Sequence, residues 1–126
     1  MSAVPTGTGF LVVSNDTTPF AHNIARGNDT FGFALVDQVI AEFGPPFSAD
    51  ESVDENYVFN NVFTGNGTNP DLTRSPVGAD TVFLATQSSN NCQSGNTFAT
   101  DVGLAALPVC TLPPPAFASC PAPSVP

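Results

Sequence analysis

The chain has 126 residues, only 10% of them charged, and a formal net charge of −9 at pH 7, with Arg26 and Arg74 as its sole cationic side chains apart from His22. That balance excludes a basic nucleic-acid surface and disfavours attraction to anionic lipid. Globular domains average about 25% charged residues, so this surface must be hydrated largely by the amides and hydroxyls of its Asn, Thr and Ser.

Residues 1–8 form a lead-in. Met1-Ser2-Ala3-Val4-Pro5 lacks the basic and apolar regions of a signal peptide, and the composition favours an exported protein whose signal lies outside this chain. No apolar run reaches the roughly 18 residues of a membrane span, so no transmembrane segment is expected. Residues 9–107 carry the foldable pattern, and 108–126, with seven of the 13 prolines, read as a Pro-rich C-terminal tail.

Within 9–107 two patterns recur. The first is a small apolar strand: Gly9-Phe10-Leu11-Val12-Val13 returns as Gly32-Phe33-Ala34-Leu35-Val36, then less regularly as Thr81-Val82-Phe83-Leu84-Ala85 and Gly103-Leu104-Ala105-Ala106-Leu107. Phe10, Phe33, Phe83 and Leu104 are expected to stack in one line. The second is an asparagine corner: Asn23 with Gly27 and Asn28, Asn61 with Gly65 and Asn66, and Asn91 with Gly95 and Asn96. The steps between corners are unequal, which two inserted loops explain, one at 42–55 around Gly44-Pro45-Pro46 and one at 67–78 with Pro70 and Pro76. Little helix is expected, one turn at most within 34–43 and otherwise only 97–107.

Each residue type has a physical reason to recur. Gly and Asn tolerate the left-handed backbone of tight corners. Asn repeated at one corner can also donate and accept along the stack as an amide ladder. Phe, with 11 copies against no Trp and a lone Tyr57, suits a repeated interior position. The expected fold is therefore an all-β right-handed parallel β-helix, a solenoid of three to four coils with inserted loops. A β-sandwich is the alternative, since short strands between Gly and Pro turns also describe it.

The alternation of Gly-Phe-x-Leu-Val strands with Asn-Asn-Val-x-x-Gly-Asn corners resembles right-handed parallel β-helix repeat proteins of the broad pectate-lyase-like group. The run from Asn56 to Asp71 is similar to C-terminal coils of its bacterial members. The resemblance implies a secreted, periplasmic or cell-surface protein related to carbohydrate. It transfers no catalytic residue.

A lyase acting on acidic sugars would need a basic residue as proton acceptor, often beside bound calcium. Arg26 with Asp29 is the only such pair on a corner, and a solvated corner is the expected reading. His22 is expected to substitute for Asn in a ladder. Asp50, Glu51, Asp54 and Glu55 are weak calcium candidates, without the spacing of a known calcium loop, and no other cofactor is indicated. Cys92, Cys110 and Cys120 allow three single pairings, of which Cys92 with Cys110, at the edge of the patterned region, is favoured. The expected function is a non-catalytic structural or binding module, with a polysaccharide or protein partner at the cell surface or head-to-tail self-association. The alternative is the C-terminal part of a carbohydrate-active enzyme.

Overall fold

Runs of β-branched and aromatic residues favour extended backbone, and here they are cut every few residues by Gly, Asn or Ser, so strands form but stay short. A computed structural model of the chain describes residues 4–37 and 52–111. Within them the fold is all-β, with one 3-10 turn at Leu104–Ala106 as its helical element. A first repeat supplies β1 (Thr8–Val13), β2 (Pro19–Ala21) and β3 (Ile24–Arg26). A second supplies β4 (Phe31–Val36), β5 (Val53–Asp54), β6 (Tyr57–Phe59) and β7 (Val62–Thr64). A third supplies β8 (Ala79–Leu84), β9 (Ser88–Ser89) and β10 (Cys92–Ser94), followed by β11 (Asp101–Val102).

Equivalent strands of successive repeats pair side by side, and every pairing is parallel: β1-β4-β8-β11, β2-β6-β10, β3-β7 and β5-β9. Parallel pairing throughout does not fit the antiparallel β-sandwich. The expected loop at 42–55 ends earlier than anticipated, because Val53 and Asp54 pair with Ser88 and Ser89. The beginning of the tail also packs on the third repeat, where Val109 bridges Gln93.

The apolar interior lies between these sheets, and Phe33, Leu35, Val53, Val58, Phe63 and Leu104 are buried in it. Phe10 lies opposite Phe33, as the repeat predicts. Phe83 does not continue that line: Thr81 stands opposite Phe33, and Phe83 stands opposite Leu35. A buried threonine is tolerated there because its hydroxyl donates to Asp101 Oδ1 at 2.7 Å. Leu104 reaches the core from the 3-10 turn rather than from a fourth strand. Gly103, at φ 96°, breaks the extended run, and the Asp101 carboxylate accepts the N–H groups of Leu104 and Ala105 at 2.9 and 2.8 Å. Aromatic contact runs across the interior instead, with Phe20 4.6 Å from Phe33 and Phe33 5.4 Å from Phe63, centroid to centroid.

The loop at 67–78 leaves and re-enters through a neck. Gly67 has φ +80°, and a Cβ there would lie 2.2 Å from the backbone nitrogen of Ala79. Only glycine fits both the conformation and the approach. Replacing Gly67 by Ala should cost about 1–2 kcal/mol from the left-handed backbone alone, and more from the collision. Phe33→Ala should cost about 3–5 kcal/mol as an unfilled core cavity. Urea denaturation of both variants checks these values.

Candidate functional site

The corners are built from a repeated bond pattern. A residue with positive φ precedes each ladder position except Asp80: His22, Asn60 and Gly95 at 60°, 55° and 66°, Thr17, Glu55 and Asn90 at 51°, 55° and 56°, and Gly27 and Gly65 at 71° and 67°. The following residue turns its side chain inward. Asn23 donates both its backbone N–H and its amide to Asn61 Oδ1, at 2.9 and 3.2 Å. Asn61 does the same to Asn96 Oδ1, at 3.0 and 2.9 Å. A second ladder joins Thr18, Asn56 and Asn91, and a third joins Asn28, Asn66 and Asp80. Each Asn from the second repeat onward also sends its amide back to a carbonyl of the preceding repeat, as from Asn61 to Phe20 and from Asn66 to Ala25.

This geometry corrects the register of the corners. Asn91 is not the equivalent of Asn23 and Asn61; Asn96 is, and Asn91 aligns with Asn56. Gly95 likewise aligns with Asn60 and His22, while Gly27 and Gly65 align with each other. The cause is a five-residue step within each repeat: Asn56, Asn61 and Asn66, then Asn91 and Asn96, so a match displaced by one unit looks as good as the true one. That step also identifies Thr18 and Asn56 as ladder members, which a search for whole corners overlooks.

Asp80 ends the third ladder. Its carboxylate accepts the backbone N–H groups of Asn66, Ala99 and Thr100 and the Asn66 amide, at 2.9 to 3.2 Å. Burial works to raise its pKa, but these donors outweigh it and hold the carboxyl below its ordinary value. The glycine of the repeated Gly-Phe strand belongs to the same device: a Cβ on Gly32 would lie 2.5 Å from the Asn66 amide nitrogen. Asp37, also buried, accepts the Thr86 N–H, the Thr86 hydroxyl and the Gln87 N–H.

The residues singled out for chemistry are not brought together. Arg26 is exposed and makes no ion pair with Asp29; the ion pair among the described residues is Arg74 with Asp71 at 3.1 Å. Asp71 is held well below the ordinary carboxyl range by the Thr73 hydroxyl first, then by the Thr6 N–H and Arg74. His22 joins no ladder: its ring packs edge-on against Phe59, and both ring nitrogens are buried without a hydrogen-bond partner. Asp54 accepts the hydroxyls of Ser52 and Ser89 at 2.6 and 2.9 Å, and Glu55 is exposed. Asp50 and Glu51 lie outside the described residues. Among those described, no three His, Cys, Asp or Glu side chains are grouped to hold a metal. Cys92 and Cys110 form a disulfide; Cys120 lies outside the described residues.

A groove of about 210 Å³, which no sequence pattern signals, lies on the outer face of the four-stranded sheet. Leu11, Ala34, Val36, Val82 and Leu84 contribute to it, alternating along their strands with the inward-facing side chains. Val4 and Pro5 line it together with Arg74, Ser75 and Pro76 from the 67–78 loop, which is tied to the N-terminal segment by the Thr6 N–H on Asp71 Oδ2.

The ladder predicts unequal costs for like substitutions. Asn61→Ala strands two donors of Asn23 and should cost about 2–4 kcal/mol, whereas Asn23→Ala, whose Oδ1 accepts nothing among the described residues, should cost about 1. Because Asp80 is depressed, its contribution is full above the unfolded carboxyl range and is lost as pH falls through its folded value. Urea midpoints should therefore drop as pH falls below the ordinary carboxyl range near about 4, and Asp80→Asn should be less stable at pH 7 with a shallower fall in acid. No helix among the described residues is long and apolar enough to cross a membrane. Comparison with protein-family models, with curated proteins and with solved structures finds no match.

Proposed function

We propose that the repeats are coils of a right-handed parallel β-helix, and that the chain is a non-catalytic structural or binding module of a secreted or cell-surface protein. The observation that carries this reading is the commitment of the buried polar side chains. Asn56, Asn61, Asn66, Asn91, Asp37 and Asp80 each spend their hydrogen-bonding capacity on holding neighbouring repeats together. A general acid or base needs an ionisable group aimed at a cleft. The groove offers aliphatic side chains, with Arg74 and Ser75 at its rim.

Such a groove suits recognition rather than reaction: a partner gains by covering the aliphatic floor, and the rim supplies polar contacts. Stacked strands behind it keep the surface rigid. Export fits the Cys92–Cys110 disulfide, since such bonds persist in oxidising compartments, and it fits the low charge and resemblance to secreted β-helix proteins.

Screening the purified protein against a polysaccharide array, with and without calcium, tests the reading when product formation is followed in parallel. The expected outcome is no new reducing ends and no unsaturated sugar products. Any retained glycan should bind at least about tenfold more weakly to a Leu84→Asp variant, which places a charge on the groove floor. Turnover of any glycan would overturn the non-catalytic assignment.

A further inference from the structure

Asn66-Gly67 is the single Asn-Gly step in the chain, and the fold dictates both residues. Position 66 needs asparagine for the third ladder. Its Oδ1 takes the backbone N–H and the amide of Asn28, each at 2.9 Å, and its own amide donates to the Ala25 carbonyl at 3.0 Å and to Asp80 Oδ1 at 2.9 Å. Position 67 needs glycine, because a Cβ there would lie 2.2 Å from the Ala79 nitrogen on a backbone with φ +80°. Ladder and neck together therefore require, at one corner, the dipeptide whose side-chain amide is most easily lost in water.

That lability is intrinsic to the pair. When the Gly67 nitrogen gives up its proton to hydroxide or a buffer base, it attacks the Asn66 Cγ, unhindered by any side chain of its own. A C–N bond forms, the Cγ–Nδ2 bond breaks, ammonia leaves, and a five-membered succinimide remains. Water then opens the ring at one carbonyl or the other, giving aspartate or isoaspartate. Water and a base are the only co-reactants.

The folded state opposes each step. The Gly67 N–H donates to the Asn28 carbonyl at 2.9 Å, so the nitrogen is held in place with its proton. The departing amide is bound by two acceptors, and Asn66 is only 4% exposed, which keeps base and water away. The products do not fit the corner either. An aspartate at position 66 would turn an acceptor oxygen toward the Ala25 carbonyl and the Asp80 carboxylate, setting two negative charges together in the interior. An isoaspartate would lengthen the backbone at the neck, where Gly67 abuts Ala79.

We propose that Asn66 is a self-modification site gated by the third ladder: intact while the ladder is closed, converted to aspartate or isoaspartate when the chain opens there, and unable to rebuild the ladder afterwards. Opening this corner is then a one-way step, and the site limits how long an unfolded chain stays competent to refold. The inference rests on interior chemistry and not on the groove, so its failure leaves the proposed function standing.

The test compares two samples of the full chain at neutral pH, one native and disulfide-bonded, the other reduced in guanidinium chloride. Peptide mass mapping follows the loss of each amide, with electron-transfer fragmentation to tell isoaspartate from aspartate. In the denatured chain Asn66 should be the first asparagine converted, and in the native protein its conversion should be at least about tenfold slower. Asp80→Asn, which weakens the ladder, should raise the native rate at least about threefold and leave the denatured rate unchanged. Asn66→Asp, which makes one product directly, should unfold at lower urea than the wild type or fail to fold. Earlier conversion of another asparagine in the denatured chain, smaller native protection, a smaller effect of Asp80→Asn, or an Asn66→Asp chain as stable as the wild type would each overturn the proposal.

Discussion

One bond geometry governs the molecule: a side-chain carbonyl oxygen that receives both a backbone N–H and an amide N–H from the repeat before it, as Asn61 receives Asn23 and Asn96 receives Asn61. Tight corners interrupt the main-chain pairing and leave polar backbone groups facing inward. Left unpaired and buried, each would cost about 1–3 kcal/mol. Asparagine removes that penalty because it is short enough to reach the corner and has both a donor and an acceptor. The strands, the aromatic contacts and the spacing of repeats all depend on corners that can be closed in this way.

The ladders also explain where length can vary and where it cannot. Between β2 and β3, or β6 and β7, the ladder residues sit five apart in each repeat, and no insertion occurs. Beyond the last ladder position of the second repeat the constraint relaxes, and the chain leaves at Gly67 to return at Gly78. The third repeat closes its ladder with Asp80 instead of another Asn. An ionised carboxylate has acceptor capacity to spare, so it can take two further N–H groups, from Ala99 and Thr100, where the regular pattern stops.

Much of this was legible before the structure. The 23-residue step from Phe10 to Phe33 follows directly from two near-identical strands, and Asn and Gly at corners follow from their backbone preferences. Cys92 and Cys110 both lie at the edge of the pattern, which favours their pairing over either alternative, and they are bonded. What failed was register in the third repeat. Phe83 invited alignment with Phe33 by residue type, yet Thr81 holds that place through a hydroxyl bond to Asp101 that no local pattern announces. The corner motif misled in a related way: a unit that recurs every five residues inside a larger repeat can be matched one unit out of step. The outer groove was invisible because alternation marks which side chains face out but not what the 67–78 loop will lay beside them.

The glycine neck of that loop has a meaning beyond packing. Since the backbones of Gly67 and Gly78 abut, the points at which the chain departs and rejoins are fixed by the repeats and not by whatever lies between them. Closing a longer excursion would add only about 0.6 kcal/mol for each doubling of its length. The position therefore acts as a socket: the frame can carry a different sequence there, of different size, and still present it at one set place beside the outer face of the sheet.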